Sequence, residues 1–159
     1  MSLVELGHVS LKKVDGLFNK VDDVVPRIAG IIAENAISKC YIEESVQMFT
    51  PGMSSAHTIL TLAKFNALVT FHVRNQLTDK NTIYVKPLEA RQTCGVILTT
   101  KAKAGGLSQK EQTFLALTST GGLLSKVSFP LTKTGKQRPE NYDRSDAFVI
   151  AYHGATKCR

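Results

Sequence analysis

The sequence predicts one α+β domain in which N-terminal helices pack against a mostly antiparallel β-sheet or small β-sandwich. Apolar residues recur at helical spacings over about residues 13–67, and they alternate with polar residues over much of about 68–159. The chain has 159 residues, which suits a single domain with one core. Neither an internal repeat nor a linker divides it. We therefore expect a single domain over 1–159, helical in its first part and β-rich and basic in its second.

Two helices are expected near the N-terminus. The apolar residues of Lys13 to Val25 fall at i, i+3, i+4 and i+7, which is typical of an amphipathic helix. Pro26 is expected to end this helix, because proline lacks the N–H that a helix interior needs. Proline is tolerated in the first turn of a helix, so a second helix is predicted over Pro26 to Lys39.

The hydrophobic period changes near the centre of the chain. β-branched and aromatic residues predict a strand over Tyr41 to Phe49, closed by the turn Thr50-Pro51-Gly52. Ser54-Ser55 supplies a helix N-cap, and the helix is expected to end near Ala67. Alternation from Leu68 to Arg74 favours a strand, and an unbroken helix to Arg74 is the alternative.

The remainder of the chain is predicted to form strands with basic connections. Ser108 and Glu111 fit a capping box that would start a helix, but the turn residues Ser119 to Gly122 favour a hairpin there. Thr132 to Ser145 is polar and basic and is expected to be an exposed loop. The strands predicted in this part are Thr82–Lys86, Thr93–Lys103, Thr113–Thr118, Leu123–Leu131 and Ala147–His153.

Charge is divided unevenly along the chain, whose net charge is +7. Met1 to Asp79 holds seven Lys/Arg against eight Asp/Glu, whereas Lys80 to Arg159 holds thirteen against five. Such asymmetry indicates an anionic partner, either nucleic acid, with RNA expected before DNA, or an anionic membrane surface. The alternative is that the charge only keeps the protein dispersed in water.

The predicted basic loop is the main candidate for an anion-binding site. Its long cationic side chains suit phosphate, and Tyr142 is available to stack on a base. A phosphate-loop motif is not present, because Pro130 stands where its first glycine is needed and Gln137 replaces the Ser/Thr. The residues predicted to bind nucleic acid or another anion are Lys101, Lys103, Lys126, Lys133, Lys136, Arg138, Arg144, Lys157 and Arg159.

Histidines and cysteines indicate no catalytic or metal site by their spacing. His57 and His72 would share a helical face only if the long-helix alternative held. No zinc-type cluster of Cys and His is present, and a buried structural thiol is favoured for Cys40 over a nucleophile. We therefore expect no metal and no cofactor.

Location and function are predicted only as classes. Three widely spaced cysteines, no apolar run of about 18 residues and no leader pattern predict a cytoplasmic or virion-associated protein, neither secreted nor transmembrane. The favoured function is a non-catalytic nucleic-acid-binding or assembly protein, such as a viral structural, matrix-like or transport protein that forms homo-oligomers. The alternatives are a small enzyme whose site is assembled from distant residues and a protein-interaction module. No small-molecule substrate is indicated.

Overall fold

The computed structural model describes residues 3, 5–44, 55–77 and 81–157. Within these ranges the protein is mostly helical, with 53% of residues in five helices and a single sheet of two parallel strands. The elements in chain order are α1 (Leu17–Glu34), β1 (Cys40–Glu43), α2 (Ala56–Gln76), β2 (Thr82–Val85), α3 (Pro87–Thr93), α4 (Gln109–Thr118) and α5 (Pro139–Lys157).

The chain divides into two compact units. One unit consists of Val9–Tyr84, and we call it the central unit. The other combines Met1–His8 with Val85–Arg159, and we call it the terminal unit.

In the central unit, α1 packs against α2. The strands β1 and β2 run parallel, and α2 provides the crossover that parallel strands require. The Cys40 N–H donates to the Asn81 carbonyl at 2.8 Å, and the Asn66 side chain donates to the Glu43 carbonyl at 3.1 Å. The buried residues of the two helices are Val21, Val24, Thr70 and Val73.

The prediction that Pro26 separates two helices is wrong. α1 runs from Leu17 to Glu34 with Pro26 in its interior. Proline removes one helical hydrogen bond, and the carbonyl that it leaves unpaired can be hydrated where the helix faces water. Pro26 is exposed. Hydration lowers the cost of the unpaired carbonyl, and the packing of α1 against α2, with Val21 and Val24 buried, offsets the remaining cost of Pro26.

The prediction of a strand over Leu68 to Arg74 is also wrong, and the long-helix alternative is confirmed. α2 begins after Ser55, whose side chain accepts a hydrogen bond from the Thr58 N–H, and continues to Gln76. The alternation was misleading because Phe71 is 62% exposed, whereas Val73 is 2% exposed. In a strand, Phe71 and Val73 would lie on the same face, whereas here one side chain is exposed and the other is buried.

In the terminal unit, α3 and α4 each pack against α5. α3 begins with Pro87 at a first-turn position, and the capping box of Ser108 and Glu111 begins α4. α5 also begins with a proline, Pro139. The apolar core of this unit contains Val85, Ala90, Val96, Phe114, Leu117, Leu124, Phe148, Val149 and Ile150.

The predicted mostly antiparallel sheet or sandwich is therefore wrong, and so is the β-rich second part. The buried side of α5 includes Asn141, Ser145 and Gly154, so a count of apolar residues alone hides its helical period. The segments predicted as strands that are instead helical, turn or irregular are Thr93–Lys103, Thr113–Thr118, Leu123–Leu131 and Ala147–His153.

Two predicted strands are confirmed in part. β2 matches the strand expected over Thr82 to Lys86, and β1 covers the start of the one expected over Tyr41 to Phe49. The rest of that strand, the turn Thr50-Pro51-Gly52 and Ser54 lie outside the described residues. Across the described ranges, no helix combines the length and the apolar character that crossing a membrane would take.

Candidate anion-binding hairpin

Residues Leu131–Arg138 form a compact turn that we call the basic hairpin. Leu131 and Gln137 make an isolated antiparallel bridge, and the Thr132 N–H donates to the Lys136 carbonyl at 2.8 Å. The Gly135 N–H donates to the Thr132 carbonyl at 3.0 Å. Gly135 has φ of 76°, a left-handed conformation that suits glycine and closes a three-residue hairpin loop. Part of the predicted exposed loop is therefore a defined turn.

Side chains inside the basic hairpin reinforce its backbone. The Thr132 hydroxyl accepts the Lys136 N–H at 3.0 Å and shares a hydrogen bond of 3.1 Å with the Thr134 hydroxyl. The Arg138 Nε donates to the Leu131 carbonyl at 2.9 Å, which joins the two arms of the hairpin. These bonds hold the loop in one conformation without help from a ligand.

Asn141 fastens the basic hairpin to α5. Its Nδ2 donates to the Pro130 carbonyl at 2.8 Å and to the Gln137 side-chain oxygen at 2.7 Å. Asn141 is fully buried, and the Ser145 hydroxyl is bonded one turn later to the Tyr142 carbonyl at 2.8 Å. The predicted loop from Thr132 to Ser145 thus changes into a helix at Pro139. Sequence reasoning missed Asn141, because a buried asparagine looks like a loop residue.

Three predicted anion-binding residues lie in the basic hairpin. Lys133, Lys136 and Arg138 are exposed, and within the described residues no carboxylate forms an ion pair with any of them. The Arg138 Nε is occupied, which leaves the terminal guanidinium nitrogens for another acceptor. The hairpin therefore presents three cations on one short, internally bonded segment.

Arg144 lies in the second turn of α5 and is half-buried. Its Nη2 contacts His8 Nδ1 at 3.1 Å, and its Nε is buried without a hydrogen-bond partner in the described part of the chain. The guanidinium thus joins the N-terminal segment of the terminal unit to α5, rather than extending freely from a loop as the sequence predicts.

The remaining predicted cations are spread over the terminal unit. Lys101 and Lys103 lie in the turns before α4, Lys126 lies in the turn after it, and all three are exposed. Lys157 ends α5, about 27 Å along the helix axis from Pro139 at 1.5 Å per residue. Arg159 lies outside the described residues. Of the nine residues predicted from the sequence, Lys133, Lys136 and Arg138 therefore lie together in the basic hairpin, and the others lie elsewhere or outside the described residues.

Four of the six carboxylates of the terminal unit, Glu89, Glu111, Asp143 and Asp146, bond to partners within the fold. Asp146 pairs with Arg91 at 3.0 Å, with both side chains nearly buried, and Lys110 contacts Asp143 at 2.6 Å. Glu89 faces Lys86 at 3.8 Å. The pairing of Arg91 with Asp146 joins α3 to α5 across 55 residues, and no spacing in the sequence indicates it.

Glu111 is held by the capping box. Its side chain accepts hydrogen bonds from the Ser108 hydroxyl at 2.6 Å and from the Ser108 N–H at 2.7 Å. These bonds lower the pKa of Glu111, and the positive charge of Lys101 contributes in the same direction. Glu111 is therefore a carboxylate that stabilises the start of α4.

The predicted stacking role of Tyr142 conflicts with its packing. Its ring lies edge-on to Phe114, with a centroid distance of 5.4 Å, and the side chain is half-buried. The ring belongs to the contact between α4 and α5.

Residues weighed for catalysis do not converge. His57 and His72 lie on α2, fifteen positions apart by their numbers, which places them about 22 Å apart along the helix axis. Burial raises the pKa of Cys40, and it raises that of Cys94 to about 11, so both thiols stay protonated near neutral pH. Within residues 3, 5–44, 55–77 and 81–157, no group of three His, Cys, Asp or Glu side chains could hold a metal ion.

The polar pair Thr93 and His153 was not anticipated. The Thr93 hydroxyl lies 2.7 Å from His153 Nδ1 and 3.0 Å from the Glu89 carbonyl. A hydroxyl has one proton, so if it donates to Glu89 it accepts from His153. This arrangement fixes α3 on α5 and does not activate a nucleophile.

Known proteins provide no further guide to the function. No protein-family model matches the chain, and no curated protein or solved structure matches it at a significant level. The chemistry of the terminal unit is therefore the only basis for a functional assignment.

Proposed function

We propose that the protein binds nucleic acid, RNA before DNA, through the basic hairpin, with Lys133, Lys136 and Arg138 contacting the phosphates. This proposal rests on a difference in pairing between acidic side chains of the terminal unit and the cations of the basic hairpin. Glu89, Glu111, Asp143 and Asp146 have partners inside the fold, whereas no carboxylate in the described part of the chain pairs with Lys133, Lys136 or Arg138.

Net charge supports the same surface. The terminal unit contains twelve Lys/Arg and six Asp/Glu, a net charge of +6, whereas the central unit has eight and seven, a net charge of +1. A polyanion is attracted to such a unit at long range, and its binding releases counterions.

The internal bonds of the basic hairpin favour binding because they reduce the entropy lost when a ligand is held. A loop that is already ordered does not have to be ordered by the ligand. Arginine and lysine also suit phosphate in different ways, since the guanidinium presents a planar fork and the ammonium a compact charge. A viral structural or transport protein in the cytoplasm or the virion is one setting for this binding.

The test replaces three charges on the hairpin and three elsewhere. The hairpin variant carries Lys133→Gln, Lys136→Gln and Arg138→Gln. The matched control carries Lys13→Gln, Lys64→Gln and Arg74→Gln, which are exposed positions of the central unit. Both variants lose three positive charges, and circular dichroism checks that both stay folded.

Fluorescence anisotropy with a labelled single-stranded RNA measures affinity over a range of salt concentrations. Log affinity falls as log salt rises, and each phosphate contact contributes about 0.7 to the steepness of that fall. The slope of the hairpin variant should therefore be shallower than that of the wild type by about 2. The control should leave the slope near the wild-type value. Equal slopes for both variants would remove the hairpin from the site. Binding to phosphatidylserine vesicles without binding to RNA would assign the surface to a membrane instead.

A further inference from the structure

The aromatic rings of the terminal unit are used in its core. Phe114 is 3% exposed and packs edge-on against Phe129 at a centroid distance of 5.0 Å and Tyr142 at 5.4 Å. Phe148 is 7% exposed and packs against Tyr152 at 5.7 Å. These five are all the Phe and Tyr residues of Val85–Arg159, and the protein has no Trp. Phe114 and Phe148 are buried and the other three rings are half-buried, so no Phe or Tyr of this unit is exposed.

Uncharged polar side chains of the basic hairpin are likewise occupied. The Thr132 and Thr134 hydroxyls bond to one another, and the Gln137 side-chain oxygen accepts from Asn141. Asn141 is fully buried. Reading a base requires hydrogen-bonding groups that are free to meet its edge, and most of the uncharged polar groups here are committed to holding the turn, with the Gln137 Nε2 as the exception.

From this packing we infer that the basic hairpin binds the phosphate chain of its ligand and not the bases, an inference that rests on the proposed function. The charged groups left for the ligand are two ammonium groups and the outer nitrogens of one guanidinium, all of which suit phosphate oxygens. Stacking on aromatic rings strengthens the binding of single strands in proteins that use it, and the hairpin lacks that contribution. Affinity is then independent of base identity, and a base-free polyphosphate is an equivalent ligand.

Exposed rings do occur in the central unit, and they provide the control. Phe18 is 69% exposed, Phe71 is 62% exposed and Tyr84 is 50% exposed. If any of these rings stacked on a bound base, its removal would weaken RNA binding. Phe18→Ser, Phe71→Ser and Tyr84→Ser should instead leave RNA affinity within about twofold of the wild-type value, because phosphate contacts supply the binding.

The experiment uses the full chain with three ligands of matched charge, which are a uridine oligonucleotide, an adenosine oligonucleotide and inorganic polyphosphate. We expect the three dissociation constants to agree within about threefold at each salt concentration, because unpaired phosphates make the same contact whatever their source. Polyphosphate should displace labelled RNA completely, and the hairpin variant should bind all three more weakly.

Failure of the inference differs from failure of the proposed function. RNA binding that depends on the hairpin but resists polyphosphate, or that differs more than about tenfold between uridine and adenosine, would show that bases contribute. A loss of RNA affinity in Phe18→Ser, Phe71→Ser or Tyr84→Ser would show the same. Binding to none of the three ligands would overturn the proposed function, and this inference with it.

Discussion

At the scale of single residues, the position of Gly122 has no room for a side chain. A Cβ added there would overlap the Leu117 carbonyl oxygen and lie 2.7 Å from that of Ala116, because the chain turns back onto the end of α4. The Leu124 N–H donates to the same Leu117 carbonyl at 2.8 Å, so the turn cannot move away without losing this bond.

Gly122→Ala should therefore lower the free energy of unfolding by about 3 kcal/mol, the upper part of the range for overpacking. Gly135→Ala is the matched control, since a Cβ there meets nothing within 4 Å and only its φ of 76° is unfavourable. That substitution should cost about 1 kcal/mol. Urea denaturation followed by circular dichroism measures both values. Equal costs would mean that the turn after α4 adjusts freely.

At the scale of elements, α2 can be distinguished from a strand by two neighbouring positions. Phe71 faces water and Val73 faces the core, whereas a strand would place both on one face. Phe71→Ala should change the free energy of unfolding by less than about 0.5 kcal/mol, as for other surface substitutions. Val73→Ala should lower it by about 2 kcal/mol, through lost burial and a residual cavity. Similar losses for both variants in urea denaturation would contradict the helix.

The start of α4 should respond to pH through Glu111. Its pKa is lower in the folded protein than its ordinary value of 4.5, so folding favours the ionised form. The stability it contributes is fully present above pH 4.5 and is lost as pH falls through the lowered folded value. Gln can occupy the same place in a capping box without titrating, so Glu111→Gln is the control. As the pH is lowered from 5 to 3, the urea midpoint of the wild type should decrease relative to that of Glu111→Gln. A constant difference between the two midpoints would show that Glu111 contributes no pH dependence.

These elements also show what the sequence could predict. The capping box of Ser108 and Glu111 is local chemistry, and it begins a helix as its residues indicate. The continuity of α1 through Pro26 and the helix in Ala147–His153 depend on packing between distant segments, which local patterns do not contain. Asn141 is the clearest case, because its burial is decided by a bond to the Pro130 carbonyl and not by its polarity.

At the scale of the whole molecule, the uneven charge was visible in the sequence, but its boundary was not. The sequence divides near Asp79 and Lys80, and the compact units divide after Tyr84, with Met1–His8 joining the basic side. Of the nine predicted anion-binding residues, Lys133, Lys136 and Arg138 lie together in the basic hairpin. The sequence identified them by charge and turn residues, but the bonds that order the hairpin require the structure.

The contact between His8 and Arg144 has a consequence for synthesis of the protein. The two residues are separated by 136 positions, and the whole central unit lies between them. At about 5–20 residues per second, His8 is added to the chain roughly 7–27 s before Arg144. The central unit can fold in that interval, whereas His8 cannot make its contact with Arg144 until α5 has been synthesised. His8 is therefore made early but reaches this contact late, after both the central unit and most of the terminal unit have been synthesised.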